Sequence, residues 1–269
     1  MAVQLVFDKR PKVFSALNDS LTMIKRSSMH IIRNTDQLLG AFFQPIMFLV
    51  LFASVFGGAI SKALPPDVSY LDFLMAGIIV QTAAFGSTTT ALAICNDLQR
   101  GIVDRFRSLP MSNLAVLNGH VISDLFRNTI SSVVMILAGL VIGFRPKADF
   151  TDWLLIAGIL LLFTLAFSWL SAIMGIVAKS VEGVQWLGFV LVFPLTFAST
   201  AFVPAEGMNT VLKAFAVNQP ITHIVEALRA LILGKPLGDH GWLSIVWCLG
   251  ILIVAVPLAT YLFKRKTTH

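Results

Sequence analysis

The stretch that decides the fold is residues 39–60, LGAFFQPIMFLVLFASVFGGAI, in which twenty-two consecutive residues include no charged side chain. A helix needs about 20 predominantly apolar residues to cross the roughly 30 Å hydrocarbon core of a bilayer. Five further long apolar runs follow, near residues 70–95, 120–144, 153–178, 186–203 and 242–263. The sequence therefore predicts an all-α membrane protein with six transmembrane helices.

The composition excludes a soluble globular protein. Of the 269 residues, 57% are hydrophobic and only 13% are charged, whereas about a quarter of the residues of a soluble domain are charged.

The two cysteines, Cys95 and Cys248, fall in or beside apolar runs, so we expect buried thiols rather than a disulfide or a metal site. The first 38 residues lack the apolar core of a cleavable signal, which makes the first span the expected insertion signal.

The basic residues indicate how the spans are oriented. Thirteen of the twenty lysines and arginines fall in the N-terminal segment, the 96–112 segment, the loop after the fourth span and the C-terminal tail. Because cytoplasmic loops carry the excess of Lys and Arg, both termini are expected in the cytoplasm and the chain in the cell membrane. The predicted division is a cytoplasmic segment 1–38, a transmembrane domain 39–263 and a cytoplasmic tail 264–269. The net charge of +6 follows from this distribution, and no binding of nucleic acid is expected.

A helix with one apolar and one basic face is predicted before the first span, over residues 15–36. Four apolar residues share one face, while three basic residues lie off it. The residues concerned are Leu17, Leu21, Ile24, Ile31, Lys25, Arg26 and Arg33. This pattern is typical of a helix that lies in the membrane interface against lipid headgroups. A solvated helix packed on a partner is the alternative.

The segment between the fifth and sixth spans, about 205–233, is too polar to span and too apolar for a solvated loop. Pro220 suits the first turn of a helix, with Asn218 as a possible cap, and Gly234 suits its end. Ile221, Ile224, Leu228 and Leu231 share one face of that helix. Two short external helices that re-enter the outer leaflet would satisfy the pattern, and a lid on the membrane surface is the alternative. The candidate functional residues here are Glu206, Pro220, His223, Glu226 and Arg229.

Several kinds of chemistry find no support in the sequence. The central parts of the predicted spans contain no Asp, Glu, Lys, Arg or His, and Asp124 and Arg127 are expected near a span end as a structural pair. Ion-coupled carriers usually place ionisable residues at mid-membrane, so such transport is disfavoured. HExxH, GxSxG and phosphate-binding-loop motifs are missing, and we predict no catalytic and no metal-binding residues. Energy for uphill transport would have to come from another chain.

A charged segment, NDLQRGIVDRFRSLPMS at residues 96–112, interrupts the apolar runs. It predicts a short helix over about 97–109, with Asn96 or Asp97 as its cap and Pro110 at its end. The apolar residues Leu98, Ile102, Phe106 and Leu109 form one stripe of this helix. Physical reasoning leaves two alternatives open, namely a helix on the membrane surface and a helix that docks into a soluble partner.

Part of this segment, IVDRFRSLPMS, resembles the cytoplasmic loop of the type-2 ABC exporter permease family, in particular its daunorubicin-resistance-like branch. The stretch FVPAEGMNTVLKAFAVNQPITHIVEALRALILG is similar to the external segment of that family. Three positions depart from the usual external pattern. Residues 207–209 (Gly-Met-Asn) replace Met-Pro, Gln219-Pro220 replaces Asn-Pro, and Glu226 replaces Asp.

The resemblance implies a homodimer of two permeases with two copies of a separate ATP-binding subunit. ATP and Mg would be bound by that subunit, and this chain would bind no cofactor of its own. The helix at 97–109 would be a coupling helix that docks into the ATPase, and the basic N-terminal helix would lie nearby. The coupling residues would be Leu98, Arg100, Ile102, Asp104, Arg105, Phe106, Arg107, Leu109 and Pro110. The cargo path would run along the dimer seam, lined by the first, second and fifth spans.

The cargo expected from the spans is hydrophobic or amphipathic. The chain has 21 phenylalanines, and hydroxyl groups occur at Ser87, Thr88, Thr89 and Thr90. Such a route suits an antibiotic-like drug or a lipid better than a free ion or a bare sugar, so we expect efflux from the cell. Two alternatives remain at this point, a permease for a lipid-linked polysaccharide and an ATPase-independent channel or membrane scaffold.

Overall fold

The computed structural model describes residues 35–66, 68–101 and 113–267, which form eight α-helices and no strand. Two single 3-10 turns, Ser61–Ala63 and Ala205–Gly207, join helices. The helices are α1 Thr35–Ile60, α2 Tyr70–Gln99, α3 Asn113–Ile142, α4 Phe150–Val177, α5 Val181–Phe197, α6 Thr210–Asn218, α7 Pro220–Ile232 and α8 Gly238–Thr267. The predicted all-α architecture is confirmed for these residues.

Five of these helices, α1, α2, α3, α4 and α8, are long and apolar enough to cross a membrane. The fifth predicted span was placed at 186–203, but its helix, α5, covers only Val181–Phe197. Seventeen residues extend about 26 Å at 1.5 Å per residue, slightly less than the bilayer core. The helix ends early because the Ser199 hydroxyl donates to the Thr196 carbonyl and accepts from the Ala201 amide, which turns the chain.

Helix α2 is the central element of the bundle. It packs against α1, α3, α4, α5 and α7, and its residues are buried along most of its length. Small residues allow the backbones to approach closely: a Cβ on Gly77 would lie 2.2 Å from the Ala201 carbonyl oxygen, and one on Gly175 of α4 would lie 2.4 Å from that of Ala91. No side chain fits at either contact, so α2 lies directly against its neighbours.

A buried ion pair lies in the middle of the bundle. Asp124 and Arg127 are the twelfth and fifteenth residues of the thirty-residue α3, so Asp124 lies about 17 Å from the start of the helix. Helix α3 begins at 113, seven residues before the predicted span, and the position of the pair near a span end stays a prediction. The pairing itself is confirmed: Asp124 accepts from Arg127 and from Ser168 of α4, and Arg127 also donates to the Gly86 carbonyl of α2 at 2.5 Å.

The pair therefore links three helices by polar contacts in the interior of the bundle. Burial of charged groups is tolerated when each group is paired and hydrogen-bonded, and both conditions hold for Asp124 and Arg127. The two free cysteines, Cys95 and Cys248, are buried as predicted.

We predict that Gly175→Ala destabilises the bundle, because its methyl group would collide with the Ala91 backbone. The expected cost is about 1–3 kcal/mol, typical of overpacking in a dense core. Gly158→Ala is the matched control in the same helix, since a Cβ there meets no atom within 4 Å. Thermal unfolding of the purified protein in detergent measures both variants. Equal midpoints for the two variants would contradict the close α2–α4 contact.

Candidate functional site

The predicted coupling residues fall partly on the end of α2. Leu98 lies in its last turn, half-buried, and Arg100 follows as the exposed C-cap residue. Asn96 and Asp97 therefore do not cap a new helix as predicted. The Arg100 amide donates to the Asn96 carbonyl at 3.0 Å, and Gly101 with φ +64° ends α2. The remaining coupling residues lie outside the described residues, namely Ile102, Asp104, Arg105, Phe106, Arg107, Leu109 and Pro110.

The predicted interfacial helix also lies outside the described residues, and its candidate residues stay predictions. They are Leu17, Leu21, Ile24, Lys25, Arg26, Ile31 and Arg33.

The two helices that flank residues 102–112 are joined by a side-chain contact. Asp97 of α2 and His120 of α3 lie 3.0 Å apart between Oδ2 and Nε2, and both are partly buried. Sequence reasoning did not pair them, because twenty-three residues separate them and no spacing rule applies at that range. The contact fixes the distance between α2 and α3 next to the charged segment that connects them. We call this end of the bundle, where α2 ends and α3 begins, the loop end.

Aromatic rings form a continuous series of contacts along α5 and α1, which we call the aromatic ladder. Neighbouring ring centroids are 4.2–6.4 Å apart, within the range of favourable aromatic pairs. In order of contact, the ladder consists of Trp186, Phe189, Phe193, Phe197, Phe202, Phe52 and Phe56. Phe189, Phe193 and Phe197 are spaced four residues apart, which places them on one face of α5. This spacing is visible in the sequence, but sequence reasoning did not use it.

The ladder is exposed at both ends, half-buried at Phe193, Phe197 and Phe52, and buried at Phe202. Trp186 and Phe189 are 69% and 52% exposed on α5, and Phe56 is 40% exposed on α1. Phe202, where the two helices meet, is 3% exposed. The surface that α1 and α5 offer is therefore aromatic, and a flat apolar molecule could contact it without the loss of any hydrogen bond.

The hydroxyl groups of α2 are less available to a cargo molecule than the sequence suggested. Ser87 and Thr90 are buried. Thr88 and Thr89 are half-buried and donate to the carbonyls of Phe85 and Gly86 in their own helix. A helical hydroxyl that bonds to its own backbone has little capacity left for a ligand.

At the other end of the bundle, α6 and α7 confirm two short helices within the predicted 205–233 segment. The four apolar residues predicted on one face of α7 are all buried, and Gly234 with φ +64° follows the helix. Pro220 is the first residue of α7. Asn218 is not its cap, because it is the last residue of α6, and Gln219 occupies the capping position. Glu206 lies exposed in the 3-10 turn before α6.

Arg229 of α7 is buried and makes contacts to three parts of the chain, which we call the clamp. Its guanidinium donates to Glu226 Oε1 at 2.5 Å, to the Thr200 carbonyl at 2.7 Å and to the Phe73 carbonyl at 3.2 Å. The guanidinium carbon also lies 3.5 Å from the centre of the Phe73 ring, a cation–π contact. The clamp holds α7 on α2 and on the turn after α5. The sequence predicted Glu226 and Arg229 as candidate functional residues, but not the contacts of Arg229 with Phe73 and Thr200.

Two further contacts tie α6 and α7 to the rest of the bundle. The Gln219 amide donates to the Leu195 carbonyl at 2.8 Å. It thereby provides a hydrogen-bond donor to a carbonyl near the end of α5, which lacks one within the helix. His223 and His240 of α8 lie 3.1 Å apart between their Nδ1 atoms. Burial, followed by the nearby His240, lowers the pKa of His223 below its usual range, which favours the neutral imidazole. In the described part of the chain no group of three or more His, Cys, Asp or Glu side chains could hold a metal ion.

We predict that Arg229→Met destabilises the protein by about 3 kcal/mol, because it leaves buried carbonyl oxygens and Glu226 without their donor. Glu226→Gln should cost about 1 kcal/mol, since an amide oxygen can still accept from Arg229. Lys213→Met, which removes an exposed cation from α6, is the control and should have little effect. Thermal unfolding in detergent measures the three variants. If Arg229→Met behaved like Lys213→Met, the clamp would not hold α7 in place.

Comparison with known proteins places this arrangement in a family. The ABC-2 type transporter family matches residues 19–233 of the chain. A daunorubicin resistance ABC transporter permease protein of Streptomyces coeruleorubidus is 30% identical over 97% of this chain and 91% of its own length. A probable doxorubicin resistance ABC transporter permease protein of Mycobacterium tuberculosis is 27% identical over 88% of this chain and 85% of its own length. Nodulation protein J of Rhizobium leguminosarum is 24% identical over 85% of this chain and 86% of its own length.

Both the family match and the first of these relatives cover most of the chain, and the helices provide the long apolar segments that such a protein needs. The chain therefore belongs to the ABC-2 type transporter family, as a multi-pass membrane permease subunit of an ABC transporter.

Proposed function

We propose that this permease exports a hydrophobic or amphipathic molecule with a planar aromatic part. The observation that carries the proposal is the aromatic ladder, since a row of rings on α5 and α1 offers stacking contacts to a flat cargo. Relatives named for resistance to daunorubicin and doxorubicin support a drug-like cargo. No feature of the described residues favours a lipid-linked polysaccharide, which would need exposed polar groups along its route.

The ladder supports a cargo path at the seam between two copies of this chain. Of the first, second and fifth spans expected to line it, α2 is largely buried within the chain. Helices α1 and α5 instead expose large apolar residues, among them Phe43, Val55, Trp186 and Val190. A homodimer that brings α1 and α5 of both copies together would place two ladders on either side of one path.

The energy for export would come from two copies of an ATP-binding subunit, which would bind ATP and Mg. Residues 98–110 are proposed as its docking segment, and the relatives named as ABC transporter permeases support such a partner. The ends of α2 and α3 beside this segment fit this role, because the Asp97–His120 contact holds the two helices together. A docking force would then act on α2 and α3 as one unit.

The loop end is proposed to face the cytoplasm, and α6 and α7 to face the outside. The lysines and arginines at the end of α8 and in the 96–112 segment support this orientation. The proposed division into a cytoplasmic segment 1–38, a transmembrane domain 39–263 and a cytoplasmic tail 264–269 follows from it. Helix α6 exposes Val211 and Phe215 beside the cationic Lys213, which supports insertion of the external helices into the outer leaflet of the cell membrane.

We predict that Phe193→Ala weakens the interaction with an aromatic cargo. Loss of one stacked ring should raise the half-saturating concentration about fivefold, since an aromatic pair contributes about 0.5–1.5 kcal/mol beyond its buried area. The measurement is ATP-dependent uptake of daunorubicin into inside-out vesicles that contain the chain and the ATP-binding subunit that copurifies with it.

Two controls make the result specific. Phe126→Ala removes a phenylalanine that is 58% exposed on α3 and should leave uptake unchanged, and Phe193→Tyr keeps the ring and should retain uptake. If Phe193→Ala and Phe126→Ala gave the same uptake curve, the ladder would not contact cargo. If the unmodified complex took up no daunorubicin with ATP, the proposed cargo would be wrong.

A further inference from the structure

Three helix ends meet at the loop end of the bundle, and we call this meeting point the joint. The last two to three turns of α2, the end of α4 and the first turn of α5 pack around a small apolar cluster. Its buried members are Ala91, Cys95, Met174, Ala178 and Val184. Helix α5, which carries most of the aromatic ladder, begins at Val181, only four residues after α4 ends. The joint therefore connects the helix that precedes residues 102–112 with the helix proposed to contact cargo.

Two polar contacts close the joint on its outer side. The Gln99 side-chain amide, in the last residue of α2, donates to the Lys179 carbonyl at 2.9 Å. The Lys266 ammonium of α8 donates to the carbonyls of Ile176 and, at 3.1 Å, of Ala178. The carbonyls at the end of a helix lack partners within that helix, and a cation there also interacts favourably with the helix dipole. Residues 176–179 are thus held from two sides, by α2 and by α8.

The joint leaves α2 little room to move independently of α4 and α5. A Cβ on Gly175 would lie 2.4 Å from the Ala91 carbonyl oxygen, so the backbones of α2 and α4 are in close contact about two turns of α2 before Gln99. On the other side of α2, Asp97 contacts His120 of α3 at 3.0 Å. Helix ends packed this closely move together rather than deform, because a dense interior transmits displacement.

We propose that Gln99 and Lys266 are positioning residues that transmit movement of the docking segment to α5 through the Ala178–Lys179 turn. This inference rests on the proposed function, since it assumes that an ATP-binding subunit acts on residues 98–110. When that subunit displaces the end of α2, Gln99 pulls on the Lys179 carbonyl. Lys266 keeps the end of α4 in line with α8, so the displacement passes to the start of α5 and to the ladder.

The test compares transport with ATP hydrolysis in the same complex. Three variants are made in the full chain, copurified with the ATP-binding subunit and placed in inside-out vesicles. Gln99→Glu keeps the size of the side chain but replaces its amide donor with an acceptor. Lys266→Met removes the ammonium donor, and Lys266→Arg keeps a cationic donor. Arg265→Met is the matched control, because it removes an exposed cation from the adjacent position in the same turn.

The quantity measured is daunorubicin moved per ATP hydrolysed. We expect an about fivefold fall for Gln99→Glu and for Lys266→Met, the effect of about 1 kcal/mol from one lost hydrogen bond, while ATP hydrolysis and binding of the subunit persist. Lys266→Arg should retain the unmodified ratio, and Arg265→Met should not change it. Thermal unfolding midpoints show whether any variant has lost its fold rather than its coupling.

Two outcomes would overturn the inference. One is an unchanged ratio in both Gln99→Glu and Lys266→Met, with the complex assembled. The other is an equal fall in Arg265→Met, which would assign the effect to tail charge rather than to contact with α4. These outcomes are distinct from failure of the proposed function, which would show as absence of ATP-dependent uptake in the unmodified complex.

Discussion

The structure depends on the close contact of α2 with the helices around it. Glycines and small residues bring its backbone against α4 and against the turn after α5, where an added methyl group would meet a carbonyl oxygen at 2.2–2.4 Å. In a bilayer the lipid tails compete for apolar surface, so helix association relies on such close packing and on a few polar contacts. The Asp124–Arg127 pair, which links α2, α3 and α4, is the polar counterpart of these contacts.

This central position gives α2 a role at both ends of the bundle. At the loop end it is joined to α3 by Asp97 and His120 and to the start of α5 by Gln99. At the opposite end, Arg229 of α7 binds the Phe73 carbonyl and ring on α2 and the Thr200 carbonyl after α5. Helix α5 is therefore held to α2 at both of its ends, while the aromatic ladder on its face stays partly exposed. These contacts support the proposal that movement of α2 is transmitted to the ladder.

The sequence predicted the features that depend on local pattern. Charge-free runs predicted the spans, and the apolar face of α7 between Pro220 and Gly234 predicted a helix that is buried as expected. The errors arose where tertiary contacts set an element's end. Helix α2 continues through Asn96 and Asp97 because Asp97 meets His120, and α3 begins early enough to bury Asp124. Contacts such as Gln99 with Lys179, or Arg229 with Phe73, join residues too far apart for any spacing rule to predict them.

The central claim is that a separate ATPase drives this permease through residues 98–110. The most direct test is to purify the chain from its native membrane in mild detergent and to measure the amount and identity of the copurifying subunit. We expect an ATP-binding subunit in a one-to-one ratio, lost with Phe106→Ala but kept with Phe126→Ala, while both variants unfold at the same temperature. The chain purifying alone, or the subunit staying bound to Phe106→Ala in full amount, would contradict it.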